Sequence, residues 1–335
     1  MSRGALHADP VDLAAVPKHT LPKHLAEAAL LGRSIPELEV LAKETGQPAY
    51  RGKQLYDGLL KGALTLEAIS NIPKAWKEEL REAGYSTGRA VVHRQDVAPD
   101  GTRKLLLRLA DGRLVETVGI PANEKGQNRL TVCVSSQVGC AMACSFCATG
   151  LAGFARNLAP HEIVDQVMAI GEAFGGQRPS HIVFMGMGEP CLNLKNVLKA
   201  HASLNTDLGI GARRMTISTV GIPNSIAQLA QHNLQATLAL SLHAPTQSLR
   251  EQIIPSAKHY PLDAIMRDCN AYFQSTGRRV TIEYTLLAGV NDSVEQAQAL
   301  VKLLQRHKMR SHINLIPWNP VEARSQPVSS KSAAP

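Results

Sequence analysis

No run of ~18 or more apolar residues occurs anywhere in this chain, so no membrane-spanning helix is expected. The opening MSRGALHADPVDLAAVPKHT lacks the apolar centre of a secretory leader, and Asp9 and Asp12 fit a transit peptide poorly. No internal repeat or low-complexity tract interrupts the sequence. Cysteine is scarce, six in 335 residues, and four of the six fall within residues 131–150. A disulfide framework would scatter them, so the expectation is a reducing compartment, the cytoplasm or an organelle interior. Acidic residues are also short, 28 against 36 lysines and arginines, giving a net charge of +8 and a pI near 9.2. That excess suits a polyanionic partner such as nucleic acid, and equally a solvated basic surface. With 44% hydrophobic and 19% charged residues, the chain has the composition of a globular protein with one large domain or two smaller ones.

Residues 1–30 read as a flexible arm. Residues 31–88 read as a small helical domain, with RGKQLYDGLLKGA and IPKAWKEELREAG alternating charged and apolar faces at helical spacing and Gly84 or Gly88 closing the last helix. Within 89–130, RKLLLRLADGRLVETVGIP predicts a β-hairpin turning at Asp111-Gly112. From Thr131 a different rhythm begins. TVCVS, HIVFM, RMTIST, ATLALSL, VTIEYTLL and HINLIP are short β-branched runs, and five helix-like stretches separate them. Strands alternating with helices imply parallel pairing, so 131–320 is expected to form an α/β sheet or partial barrel. The polar segment 321–335 is expected to be disordered.

Each unusual motif follows one of those strands. The cysteine loop follows the first, MGMGEP the second, TVGIP the third, SLHAP the fourth, LAGVND the fifth and PWNP the sixth. Parallel α/β architectures build their sites from the loops at the carboxyl ends of strands, so all six motifs share one rim. Cys140, Cys144 and Cys147 follow a C-x3-C-x2-C spacing, and soft thiolates select zinc or an iron–sulfur cluster. Structural zinc usually takes four protein ligands, whereas three thiolates on a [4Fe–4S] core leave one iron open. Buried cysteines acting only as small apolar side chains would not favour this clustering. The cluster is the favoured reading and zinc the alternative.

That spacing, with Phe146 before the last cysteine, resembles the radical S-adenosylmethionine (SAM) enzymes. TVCVSSQVGCAMACSFCATG, FMGMGEP, SLHAP and INLIPWNP together resemble the adenine-C2 methyltransferases of 23S ribosomal RNA and transfer RNA, the RlmN/Cfr family, over roughly residues 30–320. The resemblance implies a radical-SAM partial (β/α)6 barrel with a small N-terminal helical domain and a β-hairpin linker. It implies that Cys140, Cys144 and Cys147 hold a [4Fe–4S] cluster and that Gly188 and Glu189 bind the amino end of SAM. The residue types agree, since glycines admit a close backbone and a carboxylate suits an ammonium. A dinucleotide fingerprint is a weak rival there, because Cys191 stands where its last glycine belongs and Pro190 blocks a tight helix start. Ser218, Ser241, Leu242, His243 and Asn319 would contact the cofactor's ribose, adenine or carboxylate. Taken singly, each of these also reads as a capping or turn residue.

Two further residues receive chemical roles only through the resemblance. Glu116 would take the proton from adenine C2, and Cys133 would resolve a covalent RNA–enzyme thioether by forming a disulfide. Otherwise they read as a solvated strand carboxylate and a buried thiol. Radical chemistry has a reason here, because adenine C2 is electrophilic and offers a sulfonium methyl no nucleophile. The family carries the methyl group on a cysteine beyond PWNP, in a segment like ACGQL. Neither Cys191 nor Cys269 matches it, so the chain is expected to be C-terminally truncated relative to the family. The expected activity is RNA methylation. The alternative is a family member that binds cluster, SAM and RNA without completing methyl transfer. Expected partners are 23S rRNA, tRNA or both, and an electron-donating reductant protein, with the chain itself a monomer. Basic clusters at Arg51/Lys53, Lys74/Lys77/Arg81, Arg213/Arg214 and Arg278/Arg279 fit an RNA partner.

Overall fold

The computed structural model describes residues 23–124, 127–151 and 153–319, so most of the expected N-terminal arm and the whole expected C-terminal tail lie outside the described residues. Four helices come first: α1 (Lys23–Ala28), α2 (Ile35–Glu44), α3 (Tyr50–Leu60) and α4 (Lys74–Glu82). Ser34 starts α2 with a capping box, its Oγ accepting from the Glu37 amide while the Glu37 carboxylate accepts from the Ser34 amide at 2.7 Å. Leu38, Leu55, Leu59, Trp76 and Leu80 turn inward to make the core of this unit, and the Trp76 indole donates to Thr45 Oγ1 at 2.8 Å.

The chain then enters β1 (Val91–Val97), β2 (Arg103–Arg108), β3 (Leu114–Glu124) and β4 (Gln127–Cys133). A small antiparallel pair, β5 (Gln137–Gly139) and β6 (Phe154–Asn157), flanks the cysteine loop. After it come α5 (Pro160–Ala173), β7 (His181–Phe184), α6 (Leu194–Thr206), β8 (Met215–Thr219), α7 (Ser225–Gln231), β9 (Thr237–Ser241), α8 (Gln247–Ile253), α9 (Leu262–Thr276), β10 (Val280–Leu286), α10 (Val294–Arg306) and β11 (His312–Pro317).

Nine of these strands form one sheet in the order β1-β2-β3-β4-β7-β8-β9-β10-β11. Its first three pairings are antiparallel and the remaining five are parallel. The six expected parallel strands and five intervening helices are all present, and the sheet stays open rather than closing into a barrel. The expected hairpin is β2–β3, turning at Asp111-Gly112, and its strands continue the same sheet because β4 pairs with both β3 and β7. Strand β1 is an addition that the sequence pattern did not reveal. Its side chains are almost all exposed, so no apolar alternation marks it.

Ile182, Phe184, Ile217, Leu238, Leu240 and Ile282 form the helix-covered side of the parallel strands. Burying each contributes about 1.5–3 kcal/mol. Helix α5 also fixes the N-terminal unit. Arg89, just before β1, pairs with Asp165 and, at 2.8 Å, with Glu172, while the Ala90 amide donates to Asp165 Oδ2 at 2.7 Å.

Candidate active site

Beyond β4 the backbone keeps climbing the rim. The Val134 amide donates to Val183 O at 2.9 Å, and the Ser136 and Gln137 amides donate to Met187 O at 2.8 and 3.1 Å. The loop then doubles back through β5 and β6. Gly139 lies at φ +76°, where an added Cβ would stand 1.9 Å from Gly153 O, so glycine is required by both sterics and backbone angle. The Cys140 amide donates to that same oxygen at 2.8 Å. Ala143, between the first two cysteines of the motif, takes a left-handed φ of 54°, an unusual conformation for a residue with a Cβ.

Two distant segments hold the loop from outside. The Ser145 amide donates to Ile253 O at 2.9 Å, and the Trp318 indole donates to Phe146 O at 2.9 Å. Cys144 and Phe146 pack against an apolar cluster that includes Leu249, Ile253 and Trp318. Burial pushes the Cys140 thiol up to about 12 and the Cys144 thiol well above its usual value, and the neighbouring thiols reinforce the shift in Cys144. The motif cysteines are therefore within electrostatic reach of one another in a poorly solvated loop. Thiolates there need a cationic group to offset them, and soft sulfur donors suit iron–sulfur ligation. Among the described residues no three His, Cys, Asp or Glu side chains converge on a single ion position. Three thiols crowded into one short loop suit, by donor chemistry, a cluster that takes three thiolates.

Glu189 is only 3% exposed. Its Oε1 accepts from the Cys191 amide and its Oε2 from the Val220 amide, both at 2.9 Å. Burial pushes its carboxyl above the usual range against the pull of these bonds. The Thr219 and Cys191 side chains lie within hydrogen-bond reach of the same carboxylate. Gly188, at φ +102°, lies so close to Gln137 that an added Cβ would stand 2.6 Å from the Gln137 Cβ, and the Glu189 amide donates to Gln137 Oε1 at 2.8 Å. The GMGEP turn therefore buttresses the cysteine loop.

Ser218 and Ser241, on adjacent strands, share a hydrogen bond of 3.0 Å between their hydroxyls. Leu242 is buried, and the Leu242 and His243 amides donate to Glu283 O at 3.1 and 3.3 Å. His243 Nδ1 accepts from the Thr285 amide at 3.0 Å, which leaves the proton of the neutral ring on Nε2. Burial, with a smaller push from Arg250, pulls this imidazole down to about 3. Its ring meets Phe146 edge-on at 4.9 Å. Asn319 is exposed, next in chain to the buried Trp318.

Glu116 and Cys133 belong to the antiparallel side of the sheet. Val118 pairs with Cys133, and Glu116 lies two residues from Val118, so the Glu116 and Cys133 side chains project from one face. The Glu116 side chain is about half exposed, with Lys104 Nζ 3.2 Å from its Oε1. Its peptide is tied to both neighbouring motifs. The Glu116 amide points at Met187 Sδ at 3.3 Å, and its carbonyl accepts from Ser135 Oγ at 2.6 Å. Burial raises the Cys133 thiol to about 11, so it is protonated at neutral pH.

Sequence reasoning missed four residues that hold these parts together. Gln166 of α5 accepts from the Ser135 amide at 2.7 Å and donates to Ser135 O at 3.0 Å. Asn291 donates to His243 O and Thr285 O and accepts from the Leu287 amide, each at 2.7 Å. Glu283, 5% exposed, accepts from Asn314 at 2.8 Å. The fourth is Arg250, inside α8 and fully buried. Asn291 alone had a signal, since it lies in the LAGVND rim loop. Of the basic clusters, Arg213/Arg214 and Arg278/Arg279 precede β8 and β10, and so lie at the rim opposite the motifs.

The radical SAM superfamily model matches residues 134–303. A protein of Picosynechococcus described as "Probable dual-specificity RNA methyltransferase RlmN" is 56% identical over 298 residues, covering 89% of this chain and 84% of its own length. A counterpart of the same description from Thermosynechococcus vestitus is 58% identical over 293 residues, covering 87% and 84%. The crystal structure of a radical SAM methyltransferase from Sphaerobacter thermophilus superposes with a TM-score of 0.82 at 38% identity, covering 90% of this chain and 88% of that one.

Proposed function

The chain belongs to the RlmN family of radical SAM RNA methyltransferases, and from that premise we propose that it methylates C2 of adenine in 23S ribosomal RNA, in transfer RNA, or in both. The observation that carries this reading is that Glu116 and Cys133 lie on one face of neighbouring strands, with the Glu116 carbonyl tied to Ser135 at the head of the thiol loop. Cys140, Cys144 and Cys147 would hold the [4Fe–4S] cluster. Gly188, Glu189, Ser218, Ser241, Leu242, His243 and Asn319 would hold SAM. When bound, cluster and cofactor supply the one-electron chemistry that lets an unreactive aromatic carbon be alkylated. The chain supplies orientation, exclusion of water and proton handling.

Glu116 is accessible enough to meet a base, and Lys104 steadies its carboxylate, which would accept the C2 proton. Cys133, protonated and sheltered, would release the product by forming a disulfide. The helical domain over 31–88, with Lys74, Lys77 and Arg81 on α4, would be the accessory unit for RNA, and the hairpin segment 89–130 would bring Glu116 to the barrel portion over 131–320. An electron-donating protein would reduce the cluster. Among the described residues no helix is long and apolar enough to cross a membrane.

The alternative is a protein that binds cluster, SAM and RNA without completing the transfer, since among the described residues Cys191 and Cys269, 8% and 0% exposed, offer no accessible methyl-accepting thiol. Anaerobic reconstitution, a reduced-cluster electron paramagnetic resonance (EPR) signal, and mass spectrometry for 2-methyladenosine after adding SAM, reductant and unmodified RNA decide between them. 2-Methyladenosine is the expected product. Deoxyadenosine without methylated RNA would select the second reading.

A further inference from the structure

Arg250 is 0% exposed, and among the fully buried side chains of the described residues only Trp76 is larger. Its guanidinium donates from Nε to Leu242 O at 3.3 Å and from Nη2 to Val220 O at 2.6 Å and Ser241 O at 3.4 Å. It therefore ties the loop after β8 to the loop after β9. Nη1 is buried with no hydrogen-bond partner among the described residues. No carboxylate lies within ion-pair distance of the group among those residues, and Glu189, whose charge it feels, has both oxygens engaged by backbone amides. Burial pulls the guanidinium down to about 10, so it stays charged at neutral pH. A buried cation without an ion-pair partner is expensive, and an anion brought beside it offsets that cost.

The anion is suggested by what Arg250 borders. Three residues further along α8, Ile253 O takes the Ser145 amide of the cysteine loop, and Cys144 and Phe146 pack on the apolar cluster that includes Leu249 and Ile253. Cys144 lies within the electrostatic reach of Arg250. Three thiolates outweigh the positive charge of a four-iron core, and adding an electron makes the assembly more negative still.

We propose that Arg250 is the built-in counter-charge of the thiolate-bound cluster, a positioning residue whose buried guanidinium favours the reduced over the oxidised state. The electron comes from an external one-electron donor, and Arg250 itself exchanges neither electron nor proton. The inference rests on the reading of Cys140, Cys144 and Cys147 as cluster ligands.

The test is an EPR-monitored redox titration of the full, anaerobically reconstituted chain. Arg250→Gln and Arg250→Met remove the charge, and methionine keeps the buried slot filled. Arg250→Lys keeps the charge while losing the planar fork. The neutral variants should shift the reduction equilibrium at least ~10-fold toward the oxidised cluster, a drop of about 59 mV for one electron. Arg250→Lys should shift it far less. Neutralisation should also lower resistance to urea more in the loaded protein than in the empty one, which a purely structural arginine would not do. A neutral variant that holds its cluster at the wild-type potential would overturn the proposal. So would an Arg250→Lys variant shifted as far as the neutral ones. A wild-type chain that builds no cluster would instead remove the reading on which the proposal stands.

Discussion

At the scale of single residues, Glu116 joins two properties that rarely coincide on a strand. Its carboxylate is open to a substrate, while its own amide and carbonyl are fixed to Met187 and Ser135 of the neighbouring motifs. Glu116→Gln keeps size and polarity but cannot accept a proton. Methylation should fall ~100-fold or more, the usual contribution of a positioned base. Cluster absorbance and deoxyadenosine formation should persist, and mass spectrometry of RNA and nucleoside products separates the two. Parallel loss of both would mean that Glu116 supports the fold instead. Gly139 is constrained in another way, since a side chain there collides with the Gly153 carbonyl. Gly139→Ala should displace the cysteine loop and leave little iron bound after reconstitution, measured as iron and sulfide per chain. Iron content equal to wild type would show that the loop tolerates the shift.

At the scale of elements, α5 acts as a fastener. Glu162 takes two 2.8 Å bonds from Arg156, which reaches Asp111 of the hairpin turn at 2.7 Å. Asp165 holds Arg89, and Gln166 holds both backbone groups of Ser135. Arg156 and Glu162 are both buried, and removing Glu162 leaves two guanidinium donors without their acceptors while Asp111 still holds the charge. Glu162→Ala should therefore lower unfolding free energy by ~1–3 kcal/mol, read from urea transitions. Gln166→Ala should speed hydrogen exchange at residues 134–137 with a smaller global effect. The elements that sequence revealed are those with a repeating apolar signal, the six parallel strands, their helices and the α2–α4 unit. Strand β1 lacked that signal because its faces are wet, and α8, QSLREQI, carries only Leu249 and Ile253 as apolar residues, too few to mark a helical face. The site was legible where chemistry clusters locally, as in the thiol loop. Gln166 and Arg250 act across 31 and 30 residues of chain, through contacts that only the folded sheet creates.

For the molecule as a whole, acid sensitivity follows from histidines buried in neutral form. Burial lowers the proton affinity of His161, His201 and His243, the last to about 3 from an ordinary 6.5. Below pH 6.5 the unfolded chain takes up protons that the folded chain refuses, so stability is complete above that pH and declines as pH falls toward 3. His243 alone should remove ~1.4 kcal/mol per pH unit across the lower part of that window. Urea midpoints at pH 7.5 and 5.5 measure the slope, and His243→Asn, which tolerates the left-handed backbone, should flatten it. An unchanged slope would assign the acid response to other groups. The hydrogen bond from Trp318 to Phe146 also has a bearing on biosynthesis, because 172 residues separate the two. A ribosome adding ~5–20 residues per second needs roughly 10 to 35 s to make that stretch. Throughout that interval the nascent cysteine loop exists without its last brace, open to oxygen and to iron delivery alike. Metal loading and the completion of translation are thereby placed in a race, and slow codons ahead of Trp318 would lengthen the time the thiols stand open.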